Sequence, residues 1–192
     1  MATKNTTGAS PPNDIEQVLR QRRSINFFKP ELPPRKLIVK AIELARWAPN
    51  HHLTEPWHFY LLSNPVKTRI IELNSELVTQ KKGERAGRDK YDRWTKIPGW
   101  LVVTCSLSDS ELQRREDYAA CCCAIHSLSL YLWSQGIGAK WTTGEVTRDP
   151  RFYEAIWVDP GQEQVVGMIW YGYPAELPVA MRKPVSEILI EI

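Results

Sequence analysis

The chain has 192 residues, is 43% hydrophobic and carries a formal net charge of +3. That length supports one hydrophobic core, and so mild a charge excludes a surface built throughout for nucleic acid or anionic membrane. No basic stretch followed by an apolar one opens the sequence, and no apolar run reaches the roughly 18 residues of a membrane span.

Residues 1–13 are small, polar and proline-containing, and read as a flexible N-terminal tail ahead of a single domain over residues 14–192. Asp14 is placed to cap a first helix with Ile15, Val18 and Leu19 facing inward, ending at Gln21-Arg22-Arg23-Ser24. Two guanidinium forks and a hydroxyl suit a phosphate; a solvated arginine pair at a helix C-terminus is the alternative. After Pro33-Pro34, Leu37, Ile38, Ala41, Ile42, Ala45 and Ala48 recur at helical spacing, predicting a helix over residues 34–48. Pro49 stops it. The loop Pro49-Asn50-His51-His52-Leu53-Thr54-Glu55 is then pinned by Pro56 and an aromatic strand over residues 57–62, so polar side chains are held between rigid elements, as in a site. Val66, Ile70, Leu73 and Leu77 mark a third helix over residues 65–79.

Lys81 to Lys96 is the one local basic segment, with Tyr91 and Trp94 interleaved. A solvated basic face or mobile flap is favoured over a single-strand-binding module, so no nucleic-acid partner is expected. Trp100 to Cys105 is apolar on both alternations and reads as a buried strand. Residues 117–135 predict a helix apolar nearly all round, hence central, with His126 a satisfied core histidine. Gly136-Ile137-Gly138 ends that helix, Trp141-Thr142-Thr143-Gly144 follows as a loop, Asp149-Pro150 starts a short helix to about Trp157, and Gln164 to Tyr171 is a last core strand. From Pro174 a proline-rich tail, with the cationic pair Arg182-Lys183, is expected to run extended over another surface.

Several chemistries find no support. Gly136-x-Gly138 follows a helix and lacks a third glycine, unlike a dinucleotide fingerprint. Cys121-Cys122-Cys123 diverge by about 100° per helical residue, so they cannot converge on one metal; with Cys105 they read as buried small hydrophobes. His51, His52 and His58 have no carboxylate or cysteine at ligand spacing, so no metal is expected. No serine sits in a nucleophile elbow. The lack of a disulfide framework points to the cytoplasm. Strands separated by helices, one of them all-apolar, indicate a layered α/β or α+β domain, and the wholly apolar faces hint at a dimer.

Four blocks, Arg22-Arg23-Ser24, Ala48 to Trp57, Gly136 to Gly144 and Arg182-Lys183-Pro184-Val185, stand in an order and spacing that resemble the FMN-dependent nitroreductase family, covering the chain from about Asp14 to Glu187. The resemblance implies an α+β layered sandwich, a central mixed or antiparallel sheet flanked by helices, and a homodimer with exchanged C-terminal tails. It assigns Arg22, Arg23 and Ser24 to the FMN phosphate and ribityl chain, and Pro49, Asn50 and His51 to the partner's flavin. Trp141, Thr142 and Thr143 are assigned to the isoalloxazine ring, and Arg182 or Lys183 to the phosphate. His52, Leu53, Tyr91 and Trp94 are candidate substrate-pocket residues. The implied activity is hydride transfer from NAD(P)H to flavin N5, then ping-pong reduction of a nitroaromatic, quinone or similar small oxidant with no catalytic protein acid or base. A flavin store or sensor with little turnover is the alternative. Glu55 stands where many relatives have Gln, Trp47 where some have Arg, and Thr142-Thr143 where some have a more basic pair.

Overall fold

The computed structural model describes residues 14–192; the expected flexible tail lies outside them. The elements in chain order are α1 (Ile15–Gln21), α2 (Arg35–Ala45), β1 (Trp57–Leu61), α3 (Asn64–Lys82), α4 (Glu84–Thr95), β2 (Gly99–Ser106), α5 (Glu111–Ser134), β3 (Gly138–Thr142), α6 (Pro150–Ala155) and β4 (Glu163–Gly172). Short 3-10 turns occupy His51–Leu53, Glu145–Arg148 and Val185–Glu187.

The strands form one sheet in the order β1-β2-β4-β3 with every pairing antiparallel, so the expectation of a mixed or antiparallel sheet resolves to the latter. β2 and β4 are central and apolar on both alternations because both faces are covered. Leu101, Val103, Ile169 and Tyr171 face Ile38, Ala41 and Ala45 of α2 and Cys121, Ala124, Ile125 and Leu128 of α5. On the opposite face Trp100, Val102, Met168 and Trp170 meet Val66, Ile70 and Leu73 of α3, Trp94 of α4, and Phe152 and Ala155 of α6. Each fully buried Val, Leu, Ile, Phe or Met among these contributes about 1.5–3 kcal/mol of transfer free energy.

Local expectations needed correction where tertiary contacts decide. The basic segment is helix α4, not a loose flap: it packs on α3 at Gly87, where an added Cβ would lie 1.8 Å from Thr79 Oγ1, and Ser75 Oγ donates to the Gly87 carbonyl at 2.9 Å. In α1 only Val18 is buried; Ile15 and Leu19 are exposed. On α5, His126 is exposed rather than a core histidine. Cys105 and Cys121 are buried as expected, but Cys122 is partly buried and Cys123 exposed. Trp141 and Thr142 belong to β3, not to a loop. The tail is held at its start, where Ala175 N–H donates to Phe27 at 3.0 Å. Beyond that Leu177, Val179, Met181, Val185, Ile188, Leu189 and Ile190 are all exposed. Among the described residues no helix is long and apolar enough to cross a membrane.

Candidate functional site

A cavity of about 270 Å³ opens between α3, α4, β3 and the turn that follows β3. Its wall includes Trp94 and Trp170, which with Trp100 form a cluster of tilted and edge-to-face indoles at centroid separations of 5.1–5.7 Å. Asn74 reaches it from the buried side of α3. It is only 8% exposed, yet its amide nitrogen has no partner among the described residues, and neither has Trp170 Nε1. A buried donor left unpaired costs about 1–3 kcal/mol, a price tolerated where a ligand brings the acceptors. Thr142 and Gly144 line the same space.

Cations crowd the cavity. Lys82, Lys90, Arg93 and Lys140 line it, and the Lys140 ammonium lies 5.3 Å over the Trp170 ring. Burial, then the neighbouring Arg93 and Lys82, holds Lys90 below the ordinary lysine range; burial, then Arg93 and Lys90, does the same to Lys140. Both Lys140 Nζ, at 2.6 Å, and Arg93 Nη2, at 3.4 Å, donate to Asn26 Oδ1.

A second positive locus lies where α1 ends. Ser24 bridges to Ala139 of β3, and Ile25 N–H donates to the Ala139 carbonyl at 3.1 Å, so the arginine block runs along the sheet edge. Arg23 Nη1 is occupied by the Arg20 and Arg22 carbonyls at 2.6 and 2.9 Å. Arg22 is partly buried, and burial, then Arg182, then Arg23, lowers its pKa. Arg182 therefore returns from the tail to Arg22, whereas Lys183 faces Glu187 at 3.8 Å.

The loop after Pro49 belongs to the other layer, against α5. His52, Leu53 and Glu55 have φ of 60°, 51° and 45°, each such left-handed conformation costing of order 1–3 kcal/mol. The strain is held by an internal network. Asn50 Oδ1 accepts from Glu55 N–H at 2.7 Å, Asn50 Nδ2 donates to Thr54 Oγ1 at 3.0 Å, and Thr54 Oγ1 donates to the buried Asp117 carboxylate at 2.5 Å. His51, His52 and Leu53 consequently point to solvent, Leu53 being 81% exposed, and none of them lines the cavity. The fold does supply a carboxylate that sequence spacing did not: ligand atoms of His51, His52 and Glu116 lie within 4.8 Å of one another. His58 Nδ1 lies apart from these, 3.4 Å from Glu163.

The structure thus gathers Thr142 and Trp94 at the cavity. It leaves Tyr91 among the exposed residues of α4 and Thr143 exposed beyond β3. Trp141 projects from the other side of the strand, its indole donating to the Val166 carbonyl at 3.2 Å across Gly167, where an added Cβ would fall 2.1 Å from the ring nitrogen. Sequence reasoning missed Asn74, Asn26, Lys140 and Asp117, lone polar residues whose importance comes only from long-range packing.

This layered α+β sandwich has counterparts among known proteins. The model of the nitroreductase family matches residues 19–173, and the chain belongs to that family. It is 32% identical over 184 residues to "Putative NAD(P)H nitroreductase YfhC" of Bacillus subtilis, covering 93% of this chain and 94% of that one. A solved nitroreductase-like family protein from Bacillus cereus superposes with a TM-score of 0.82 at 30% identity over 96% of this chain and 98% of the other. A Desulfovibrio desulfuricans structure described as a nitroreductase in complex with FMN shares the fold at 21% identity and a TM-score of 0.73, over 94% and 98% of the two chains.

Proposed function

We propose that the protein is an FMN-dependent oxidoreductase that takes hydride from NAD(P)H and reduces nitroaromatic, quinone or similar small oxidants in alternating half-reactions. The observation that carries this reading is the orphaned Asn74 amide, buried in a cavity whose other wall is Thr142 and Gly144: a planar heterocycle with carbonyl and imide edges satisfies such a site. Family membership and the FMN in the Desulfovibrio structure support the choice of heterocycle.

On this reading Arg22, Ser24 and Arg182 hold the phosphate, with Arg23 bracing the helix end, and Lys183 is left to its partner Glu187. Asn74, Thr142 and the backbone from Trp141 to Gly144 align the ring. FMN when bound supplies the hydride-accepting nitrogen and returns electrons to the oxidant. For a nitro group, NAD(P)H provides two electrons and one proton and solvent a second proton, leaving a nitroso group and water. The chain's own residues position and exclude water; no side chain need act as acid or base.

The working unit in this proposal is a homodimer. The apolar tail side chains, Val179 at 95% exposure among them, and the outward loop with Pro49, Asn50, His51, His52 and Leu53 need a surface to cover them. A second copy supplies it, and places that loop against the other copy's ring. The decisive experiment is the absorption spectrum of purified, FMN-reconstituted protein before and after anaerobic NADPH. A flavin band that bleaches and returns on adding a nitroaromatic or quinone is expected; colourless protein overturns the proposal, and a band that never bleaches leaves only a flavin store or sensor.

A further inference from the structure

We infer that His51, His52 and Glu116 form a binding site for one divalent transition cation of the zinc kind, which ties the loop after Pro49 to α5. The inference goes beyond the oxidoreductase reading and does not rest on it.

Ligand atoms of the three side chains lie within 4.8 Å of one another, although two come from the loop and one from the helix. Successive side chains ordinarily diverge, by about 120° in a 3-10 turn and to opposite faces in a strand. Here the left-handed backbone of His52, at φ 60°, brings the second imidazole back against the first, and the two ring centroids stand 3.9 Å apart with an interplanar angle of 64°. The bond from Thr54 to Asp117 delivers the carboxylate, because it docks the loop on α5 at the residue next to Glu116. Among the described residues neither imidazole ring has a hydrogen-bond partner, and the partly buried Glu116 carboxylate has neither a hydrogen-bond nor an ion-pair partner; its neighbour Arg115 is taken by Glu111. A carboxylate drawn out of water without a partner is costly, and a cation satisfies all three groups at once.

Two imidazole nitrogens and one carboxylate oxygen suit zinc and its first-row neighbours, whereas magnesium and calcium favour shells made of oxygen. Around a tetrahedral zinc with bonds of about 2.0–2.1 Å, donors stand about 3.3 Å apart, a closure that side-chain rotation supplies because both imidazoles are exposed. The cysteines are not part of the set. Cys121 is buried in the core, and Cys123, at 1.5 Å per residue, lies about 10 Å further along α5. In the proposed dimer a cation here braces the projecting loop from a second helix position, adjacent to the Asp117 contact.

The test titrates zinc chloride by calorimetry into the FMN-reconstituted, full-length protein after treatment with a chelator. One zinc per chain, with a dissociation constant of about 10 μM or tighter, is expected. His52→Asn, whose side chain tolerates left-handed backbone, and Glu116→Ala are each expected to weaken binding at least about tenfold. Cys123→Ser removes the exposed thiol of the same helix and is expected to leave binding unchanged. Cobalt chloride gives an independent reading as a difference spectrum: d–d bands beyond the flavin absorption, with no thiolate charge transfer, support the site. No zinc binding by the wild type, binding untouched by either ligand variant, binding lost in Cys123→Ser, or a thiolate charge-transfer band would overturn the inference. Colourless protein that still binds zinc through these residues upholds it while counting against the oxidoreductase reading.

Discussion

The cavity beside α3 and α4 and the loop after Pro49 are built on opposite layers of the sheet and solve opposite problems. In the cavity, buried donors on Asn74 and Trp170 have no partner among the described residues, and there Lys82, Lys90 and Lys140 form no ion pair. In the loop every internal polar contact is closed, through Asn50, Thr54 and Asp117, and what is displayed is a set of exposed side chains on strained backbone. On the proposed reading the first takes a small molecule and the second meets another copy of the chain. One chain thus furnishes both a socket and a projection, which is what the proposed dimer requires of it.

Removing residues 176–192 is the harshest way to test that contrast, because it strips the exposed apolar tail and Arg182 together. A monomer by light scattering, with FMN affinity reduced more than about a hundredfold, is the expected result; a flavin-loaded dimer would show that the tail is ornamental. Arg22→Ala isolates the phosphate end. Loss of charge-assisted bonds worth about 1.5–3 kcal/mol predicts roughly ten- to a hundredfold weaker FMN binding in a fluorescence titration, with the fold retained.

Asp117→Ala tests the loop side. It leaves the Thr54 hydroxyl without its acceptor, and urea unfolding should show about 1–3 kcal/mol less stability; no change would mean that the strained loop is held by other contacts. Asn74→Leu sharpens the cavity side, since it deletes an orphaned donor. The flavin-free protein should gain up to about 1 kcal/mol while FMN affinity falls, and a loss in both would make Asn74 merely structural.

The smallest effect is in pH. Lys90 has a folded pKa below its unfolded value, so between the two the unfolded chain binds more protons and stability rises with pH. The ligand-free protein should therefore gain stability as pH climbs through that window. Lys90→Gln should flatten the rise in thermal melts taken at pH values approaching the ordinary lysine range.

The contrast also explains what the sequence disclosed. Helices α2, α3 and α5 and strands β2 and β4 were legible because each buries a long apolar pattern, and β1, of which only Trp57 is buried, because its aromatic run follows Pro56. α4 was not, because its buried contacts reduce to Gly87 and Trp94 amid charges. β3 was read as a loop because it is paired along its length on one side only, to β4, and has on the other just the Ser24 bridge. The arginine block and the Pro49 loop stood out as contiguous clusters of functional residue types. Asn74 in a helix and Asp117 in another look like ordinary solvent-facing positions until the chain folds around them.

The contact at Gly87 has a further reach. Because α4 lies against α3 where no side chain intervenes, the distance between Lys90 and Arg93 on one wall and Lys140 on the other is fixed by an omitted methyl group. Adding that methyl would tilt the whole charged wall outward while leaving the arginines of the phosphate locus untouched. On the proposed reading the width of the ring-binding cavity can thus be retuned through a position that lines neither it nor the phosphate locus.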